Sequence, residues 1–140
     1  MLVKKYFLIG IGGALGSILR YSAPEFKTFA FFPLRILLVN LIGCFLIGVI
    51  LTFVTEIKFF DKNLRIGVTS GFLGGLTTFS TVCGDVFRLL SKGEFLSAFL
   101  NFSISIVLGF LAVALGFFAI REIERFFKKR ESHLMEDEVE

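Results

Sequence analysis

The chain has 140 residues, of which 55% are hydrophobic and 19% charged, with a net charge of +3 and a mean hydropathy of +0.83. This composition excludes a soluble globular domain, a disordered chain and a fibrous repeat, and it leaves no room for a soluble catalytic domain. The lysines and arginines stand at the ends of apolar segments, which indicates anchoring at lipid headgroups and not nucleic-acid binding. We therefore expect a small membrane protein that is not an enzyme. Its two cysteines, Cys44 and Cys83, stand inside apolar stretches, and we interpret them as small packing residues.

Four apolar segments are long enough to cross a bilayer, since ~20 helical residues span the ~30 Å of hydrocarbon. We predict an all-α membrane protein with transmembrane helices over residues 2–21, 34–54, 64–90 and 95–120. They form a membrane domain over residues 1–123, followed by a charged C-terminal tail over residues 124–140. Outside the tail, lysine and arginine are balanced between the two sides of the membrane, which leaves insertion in both orientations open. The tail alone favours cytoplasmic termini.

The first and third segments carry unusual runs of small residues. The first contains Gly12-Gly13-Ala14-Leu15-Gly16, a surface that lets another helix approach closely. The centre of the third reads Gly71-Phe-Leu-Gly-Gly-Leu-Thr-Thr-Phe-Ser-Thr81, which is poor continuous helix because of its glycines and hydroxyl residues. A broken backbone persists at membrane depth only where protein buries it or where it lines a polar cavity. We predict such a break in the third helix.

The polar side chains at membrane depth are neutral hydroxyls and amides, and each costs free energy unless it is paired or solvated. They are Asn40, Thr69, Ser70, Thr77, Thr78, Ser80, Thr81, Asn101, Ser103 and Ser105. Such groups replace part of the hydration shell of a small ion without trapping it by charge. Phe79 lies inside the predicted break, where the weakly positive edge of its ring suits an anion. Four helices are too few to enclose a pathway, so we expect an oligomer.

Two functions other than an ion channel stay open at this point. A small proton-coupled multidrug exporter would need a carboxylate in the membrane, and the candidate, Asp85, stands towards the end of the third segment. A non-transporting scaffold would need no ion pathway, and its serines and threonines would only bond their own helix backbone.

Three motifs resemble the Fluc/CrcB family of fluoride channels. The signature of that family in the first helix is similar to Gly12-Gly-Ala-Leu-Gly-Ser-Ile-Leu-Arg20-Tyr21. Its signature in the second helix is similar to Val39-Asn40-Leu-Ile-Gly43-Cys-Phe-Leu-Ile-Gly48. The third is the run from Gly71 to Thr81 quoted above. The resemblance covers roughly residues 6–120, with the motifs in order and at the expected spacing.

The resemblance implies a fluoride-selective channel of the inner (plasma) membrane that exports cytoplasmic fluoride passively and protects against fluoride toxicity. It implies an antiparallel, dual-topology dimer with two narrow pores and a sodium ion at its centre, bound by the backbone carbonyls of Gly74 and Thr77. Arg20 would lie at a vestibule and attract anions. The residues implied along the fluoride pathway are Asn40, Phe79, Ser80, Thr81, Asn101 and Ser105.

Several positions depart from the pattern of the family. A second pore phenylalanine is replaced by Val82, Asn101 stands where tyrosine is common, and Ile36 stands where threonine is common. Asp85 stands where the family usually has glutamate. A homodimer is expected, but a heterodimer in which a related chain supplies the missing ring stays open, with this chain as a non-autonomous subunit.

Overall fold

A computed structural model describes residues 2–24, 33–56 and 61–137, and the regular structure within these ranges is entirely helical. Four helical spans in these ranges are long and apolar enough to cross a membrane. They are Leu2–Ser22, Leu34–Phe53, Lys62–Ser91 and Phe95–Phe126. The predicted all-α fold with four transmembrane segments is confirmed.

The third span is built from several short pieces, whereas the other spans are continuous helices. The helices are α1 (Leu2–Ser22), α2 (Leu34–Glu56), α3 (Lys62–Ile66), α4 (Gly74–Leu76), α5 (Phe79–Ser91) and α6 (Phe95–Asp137). A π-helical segment, Gly67–Leu73, joins α3 to α4. The π segment was not predicted, because its wider turn has no simple sequence signature.

The predicted break lies at Thr77 and Thr78, between α4 and α5. Both residues have extended backbone, with φ/ψ of −82°/152° and −149°/116°. The Thr77 hydroxyl donates to the Leu73 carbonyl at 2.9 Å, while the Thr78 hydroxyl accepts from the Thr81 N–H at 3.2 Å. The Leu73 carbonyl just before α4 therefore accepts from both the N–H and the hydroxyl of Thr77, and Thr78 is the N-cap of α5.

Glycines bring α1 into backbone contact with the third span. A Cβ atom at Gly12 would lie 2.8 Å from the Phe72 nitrogen, and one at Gly16 would overlap the Phe72 carbonyl oxygen. From the other side, a Cβ at Gly75 would overlap the Gly13 carbonyl oxygen. This confirms the close approach predicted from the small residues of the first helix.

A second glycine contact joins α2 to α6. A Cβ atom at Gly48 would overlap the Val113 carbonyl oxygen, and one at Gly116 would overlap the Phe45 carbonyl oxygen. Because lipid tails are as apolar as the helix surfaces, no hydrophobic effect drives helices together in lipid, and they associate through such close van der Waals packing. The two glycine contacts thus hold α1 against the third span and α2 against α6.

Helix α5 is joined to α6 by a tight turn that requires a glycine with left-handed backbone conformation. Gly93 has φ of 77°, and the Glu94 and Gly93 N–H groups donate to the Leu89 and Leu90 carbonyls at 3.0 and 2.9 Å. This is the Schellman arrangement, in which glycine meets no Cβ penalty. It makes α5 and α6 an antiparallel hairpin.

Helix α6 has 43 residues and continues past the apolar stretch to Asp137. The transmembrane helix predicted over residues 95–120 lies within α6, which runs on into the charged tail. The glutamates, lysines and arginines that follow are good helix formers, so the helix continues. The division into a membrane domain and a tail stays a prediction, and residues 138–140 lie outside the described residues.

Candidate functional site: a cavity at the helix break

A cavity of about 340 Å³ lies beside the break, between α2, α5 and α6. Its apolar wall on α6 includes Ile106, Phe110 and Val113. The residues of chemical interest in its lining are Asn40, Cys44, Thr78, Phe79, Val82 and Ser105. Three residues predicted for the ion pathway, Asn40, Phe79 and Ser105, therefore share one cavity although they come from three different helices.

Asn40 forms a two-point contact with the backbone of the break. Its Nδ2 donates to the Thr78 carbonyl at 3.0 Å, and its Oδ1 accepts from the Thr78 N–H at 2.8 Å. The amide thereby gives the Thr78 N–H the partner that its extended conformation removes, and it adds a donor to the Thr78 carbonyl, which as the N-cap carbonyl also accepts the first hydrogen bond of α5. One Nδ2 hydrogen is left over, because an amide nitrogen carries two donors.

This contact has a consequence for Gly74. In a continuous α-helix the Thr78 N–H would donate to the Gly74 carbonyl, four residues earlier. Here it donates to Asn40 instead. The Gly74 carbonyl therefore loses its helical donor, and its oxygen is released for another partner.

The hydroxyls after the break form a compact cluster. The Thr78 hydroxyl oxygen lies 3.1 Å from that of Ser80 and 3.0 Å from that of Thr81. Thr78 is nearly buried, while Ser80 is exposed. Ser80 and Thr81 are not part of the cavity lining, so their predicted place on the ion pathway stays a prediction.

Phe79 and Val82 occupy the α5 side of the cavity. Phe79 is 63% exposed, and its ring centroid is 6.3 Å from that of Phe102, with the planes tilted by 57°. Val82 is buried and also lines the cavity, so the departure from the family pattern falls within the site. The valine leaves Phe79 as the aromatic side chain that α5 contributes to the lining.

On α6, Ser105 lines the cavity, but Asn101 lies behind it. The Ser105 hydroxyl donates to Asn101 Oδ1 at 3.4 Å, and Asn101 is 1% exposed. Asn101 is thus one hydrogen bond away from the cavity. Its predicted place on the pathway stays a prediction.

Arg20 does not stand free at the end of α1. Its Nη1 donates to the Thr77 carbonyl at 3.3 Å, which ties the end of α1 to the break. Arg35 at the start of α2 in turn donates to the Arg20 and Tyr21 carbonyls at 3.2 and 2.8 Å. Cations at helix C-termini are stabilising because the carbonyl ends carry partial negative charge. The vestibule role predicted for Arg20 stays a prediction.

Cys44 was interpreted from the sequence as a packing residue only, but it lies in the cavity wall and is half-buried. The residue stands four positions after Asn40 on α2, and this i,i+4 spacing places both on one face of the helix. That spacing was the signal in the sequence that could have identified it.

The Cys44 thiol gives a chemical test of whether ions reach the cavity. In a Cys83→Ser variant, which keeps Cys44, we expect micromolar Ag⁺ in chloride-free buffer to reduce ion flux at least tenfold. The reason is that a silver thiolate would narrow the cavity. The measurement is flux through liposomes before and after silver. A Cys44→Ser variant that keeps exposed Cys83 is the matched control and should be insensitive. Equal inhibition of both variants would show that inhibition by Ag⁺ does not depend on Cys44.

Comparisons with known proteins match most of the chain. The profile of a family described as "CrcB-like protein, Camphor Resistance (CrcB)" matches residues 7–117. A "Fluoride-specific ion channel FluC" of Azobacteroides pseudotrichonymphae is 38% identical over 119 residues, which cover 83% of this chain and 95% of the relative. The proteins of the same name in Geobacter metallireducens and Geotalea daltonii are 42% and 43% identical. They cover 82% and 86% of this chain, and 95% and 100% of their own lengths.

Proposed function

Because the chain belongs to the CrcB family, we propose that it is a fluoride-selective ion channel, the activity for which its relatives are named. Its four apolar spans make it a multi-pass membrane protein, consistent with the inner membrane. It would export cytoplasmic fluoride passively, down the electrochemical gradient. Ion conduction needs no covalent step, so no catalytic residue is assigned.

The observation that carries this proposal is the break beside the cavity. Helix α5 begins there, and the N-terminus of a helix carries partial positive charge and N–H groups that favour anions. The spare Asn40 N–H adds a neutral donor and Phe79 adds a ring edge, whereas the Ser105 hydroxyl lines the cavity with its proton donated to Asn101. A narrow site built from such donors favours a small, strongly hydrogen-bonding anion over chloride.

The sodium ion implied by the resemblance fits the carbonyl side of the break. Asn40 releases the Gly74 carbonyl from helical pairing, and the Thr77 carbonyl keeps a second lone pair beside its bond to Arg20. Carbonyl oxygens are hard ligands of the kind that small hard cations prefer. These two oxygens would hold the ion together with oxygens from a second chain, and the bound ion would supply fixed positive charge there.

The assembly proposed for this activity is an antiparallel homodimer. The cavity of one chain is bounded by three helices, and much of the surrounding apolar surface is exposed, including Phe79. A second chain would close the pathway. A heterodimer with a related chain is the second candidate, and the specific observation in its favour is that Val82 lines the cavity where the family commonly has a second phenylalanine.

A proton-coupled multidrug exporter is not favoured. The carboxylate it would use, Asp85, is buried on α5 and paired with Arg88 at 3.2 Å, and it does not line the cavity. The relatives are named as fluoride channels, not as drug exporters.

The direct test is fluoride efflux from liposomes that contain only this purified chain, read with a fluoride electrode after valinomycin is added. We expect rapid fluoride release with chloride retained. Release only after mixing with a second related chain would establish a heterodimer. No release in either case, from protein verified as dimeric, would overturn the proposal.

A Phe79→Ile variant should reduce fluoride efflux at least tenfold while the protein still assembles. Isoleucine keeps the apolar bulk but lacks the positive ring edge that would contact the anion. The measurement is the same efflux assay, after size-exclusion chromatography has confirmed the oligomer. Phe87→Ile is the matched control, because Phe87 is 72% exposed on the same helix and outside the cavity lining. Equal efflux from both variants would remove Phe79 from the pathway.

A further inference from the structure

A buried polar pair lies between α5 and α6, and the activity proposed above does not use it. The hairpin pivots at Gly93, and Asp85 and Asn101 are equally distant from it in sequence, one on each helix. One turn towards the pivot, Leu89 and Ala98 are both buried. This register therefore places Asp85 opposite Asn101.

The next turn of the hairpin supports the same register. Val82 and Ser105, one turn further from the pivot than Asp85 and Asn101, line the same cavity. Helix α5 packs chiefly on α6 within the described ranges, so the buried face of α5 is the face that meets α6. Asp85 is 7% exposed and belongs to that face.

Each member of the pair has one polar atom without a partner among the described residues. On Asp85, Oδ1 is paired with Arg88, while the buried Oδ2 makes no hydrogen bond. On Asn101, Oδ1 accepts from Ser105, while the buried Nδ2 makes no hydrogen bond. The register of the hairpin thus puts an unpaired acceptor on one helix opposite an unpaired donor on the other, and no hydrogen bond joins them. Buried polar atoms are rarely left unpaired, because desolvation without a partner is costly.

We propose that Asp85 and Asn101 together bind one buried water molecule between α5 and α6, and that this bridge fixes the Asn101 amide beneath the cavity. The water accepts from Asn101 Nδ2 and donates to Asp85 Oδ2, which satisfies both atoms. Water bridges of this kind join polar groups that are too far apart for a direct hydrogen bond.

The bridge also sets the orientation of Ser105. With Nδ2 directed at the water, Asn101 presents Oδ1 to Ser105 and accepts its hydroxyl proton. A flipped amide would turn its partly negative Oδ1, and not its N–H donors, towards the Asp85 carboxylate, which is electrostatically less favourable across the water. Asp85 and Asn101 are therefore positioning residues that act on the cavity through the Ser105 hydroxyl. This part of the inference rests on the proposed function, whereas the water bridge does not.

The bridge is tested first by a stability cycle on the full chain, unfolded by SDS in mixed micelles at fixed protein concentration. Asp85→Leu and Asn101→Leu should each lower the folded-to-unfolded ratio by roughly tenfold, because each leaves the other group unpaired. The folded-to-unfolded ratio of the double Leu variant should be at least tenfold higher than the ratio obtained by multiplying the two single losses. The double exchange Asp85→Asn with Asn101→Asp, which retains one donor and one acceptor, should also recover stability. Multiplicative losses in the Leu cycle and no recovery in the exchange would overturn the bridge.

The link to Ser105 is tested by fluoride efflux in the same liposomes. Asn101→Leu should change efflux in the wild-type background but not in a Ser105→Ala background, if it acts through that hydroxyl. The matched control for Ser105→Ala is Ser103→Ala, because Ser103 also lies on α6 but outside the cavity lining. Independent, multiplicative effects of the Asn101 and Ser105 changes would overturn the link. The stability cycle requires no channel activity, so a failure of the proposed function would not be mistaken for a failure of the bridge.

Discussion

Asn40→Asp is expected to reduce fluoride efflux by roughly 100-fold or more, although it replaces only the NH₂ group of one side chain with an oxygen. The aspartate would still accept from the Thr78 N–H, but it would set an oxygen against the Thr78 carbonyl, where Nδ2 now donates at 3.0 Å. Losing this hydrogen bond costs about 0.5–1.5 kcal/mol, and the two opposed oxygens also repel each other. The new charge would also repel an anion in the cavity by about 4 kcal/mol at 4 Å and an effective dielectric constant of 20.

The measurement for this variant is efflux from liposomes with matched amounts of protein. Asn63→Asp makes the same chemical change on α3, outside the cavity, and should leave efflux close to the wild-type rate. Wild-type efflux through folded Asn40→Asp protein would show that the two-point contact is dispensable. Such a result would also remove Asn40 from the fluoride pathway.

Gly16→Val is expected to prevent the chain from folding into a monodisperse protein. A Cβ at Gly16 would overlap the Phe72 carbonyl oxygen and lie 2.8 Å from the Leu76 nitrogen. Overpacking costs 1–3 kcal/mol where side chains can move, and more than about 3 kcal/mol is expected here because the obstructing atoms are backbone. The readout is the yield and elution profile in detergent, together with thermal stability.

The control for this variant is Gly10→Val on the same helix. A Cβ atom at Gly10 meets nothing within 4 Å in the single chain, so this variant should keep its fold. If Gly16→Val were as stable as Gly10→Val, α1 would not need to contact the third span as closely as it does here. The contrast between the two variants separates a packing requirement from a general cost of valine.

The sequence was sufficient to predict features that depend on local composition. The four spans follow from hydropathy, and the break follows from the glycines and threonines between Gly71 and Thr81, because both signals lie within one segment. The close approach of α1 followed from its small residues. These predictions needed no knowledge of which helix lies beside which.

The features that were not predicted depend on contacts between distant segments. Asn40 was assigned to the ion pathway, but its pairing with Thr78 joins residues 38 positions apart and could not be inferred from either segment alone. Arg20 was assigned to a vestibule, and its contact with the Thr77 carbonyl is likewise long-range. Cys44 was interpreted as packing because its neighbours across the cavity come from other helices.

The length of α6 gives this small protein a rigid handle for imaging. Its 43 residues extend about 64 Å at 1.5 Å per residue, which is roughly twice the hydrocarbon thickness of a bilayer. A soluble helical domain fused in register near Asp137 would be held in a fixed orientation relative to the membrane spans. Each residue added at the junction would rotate that domain by about 100°. Particles otherwise hidden within a detergent micelle would then have a visible marker for alignment in electron cryomicroscopy.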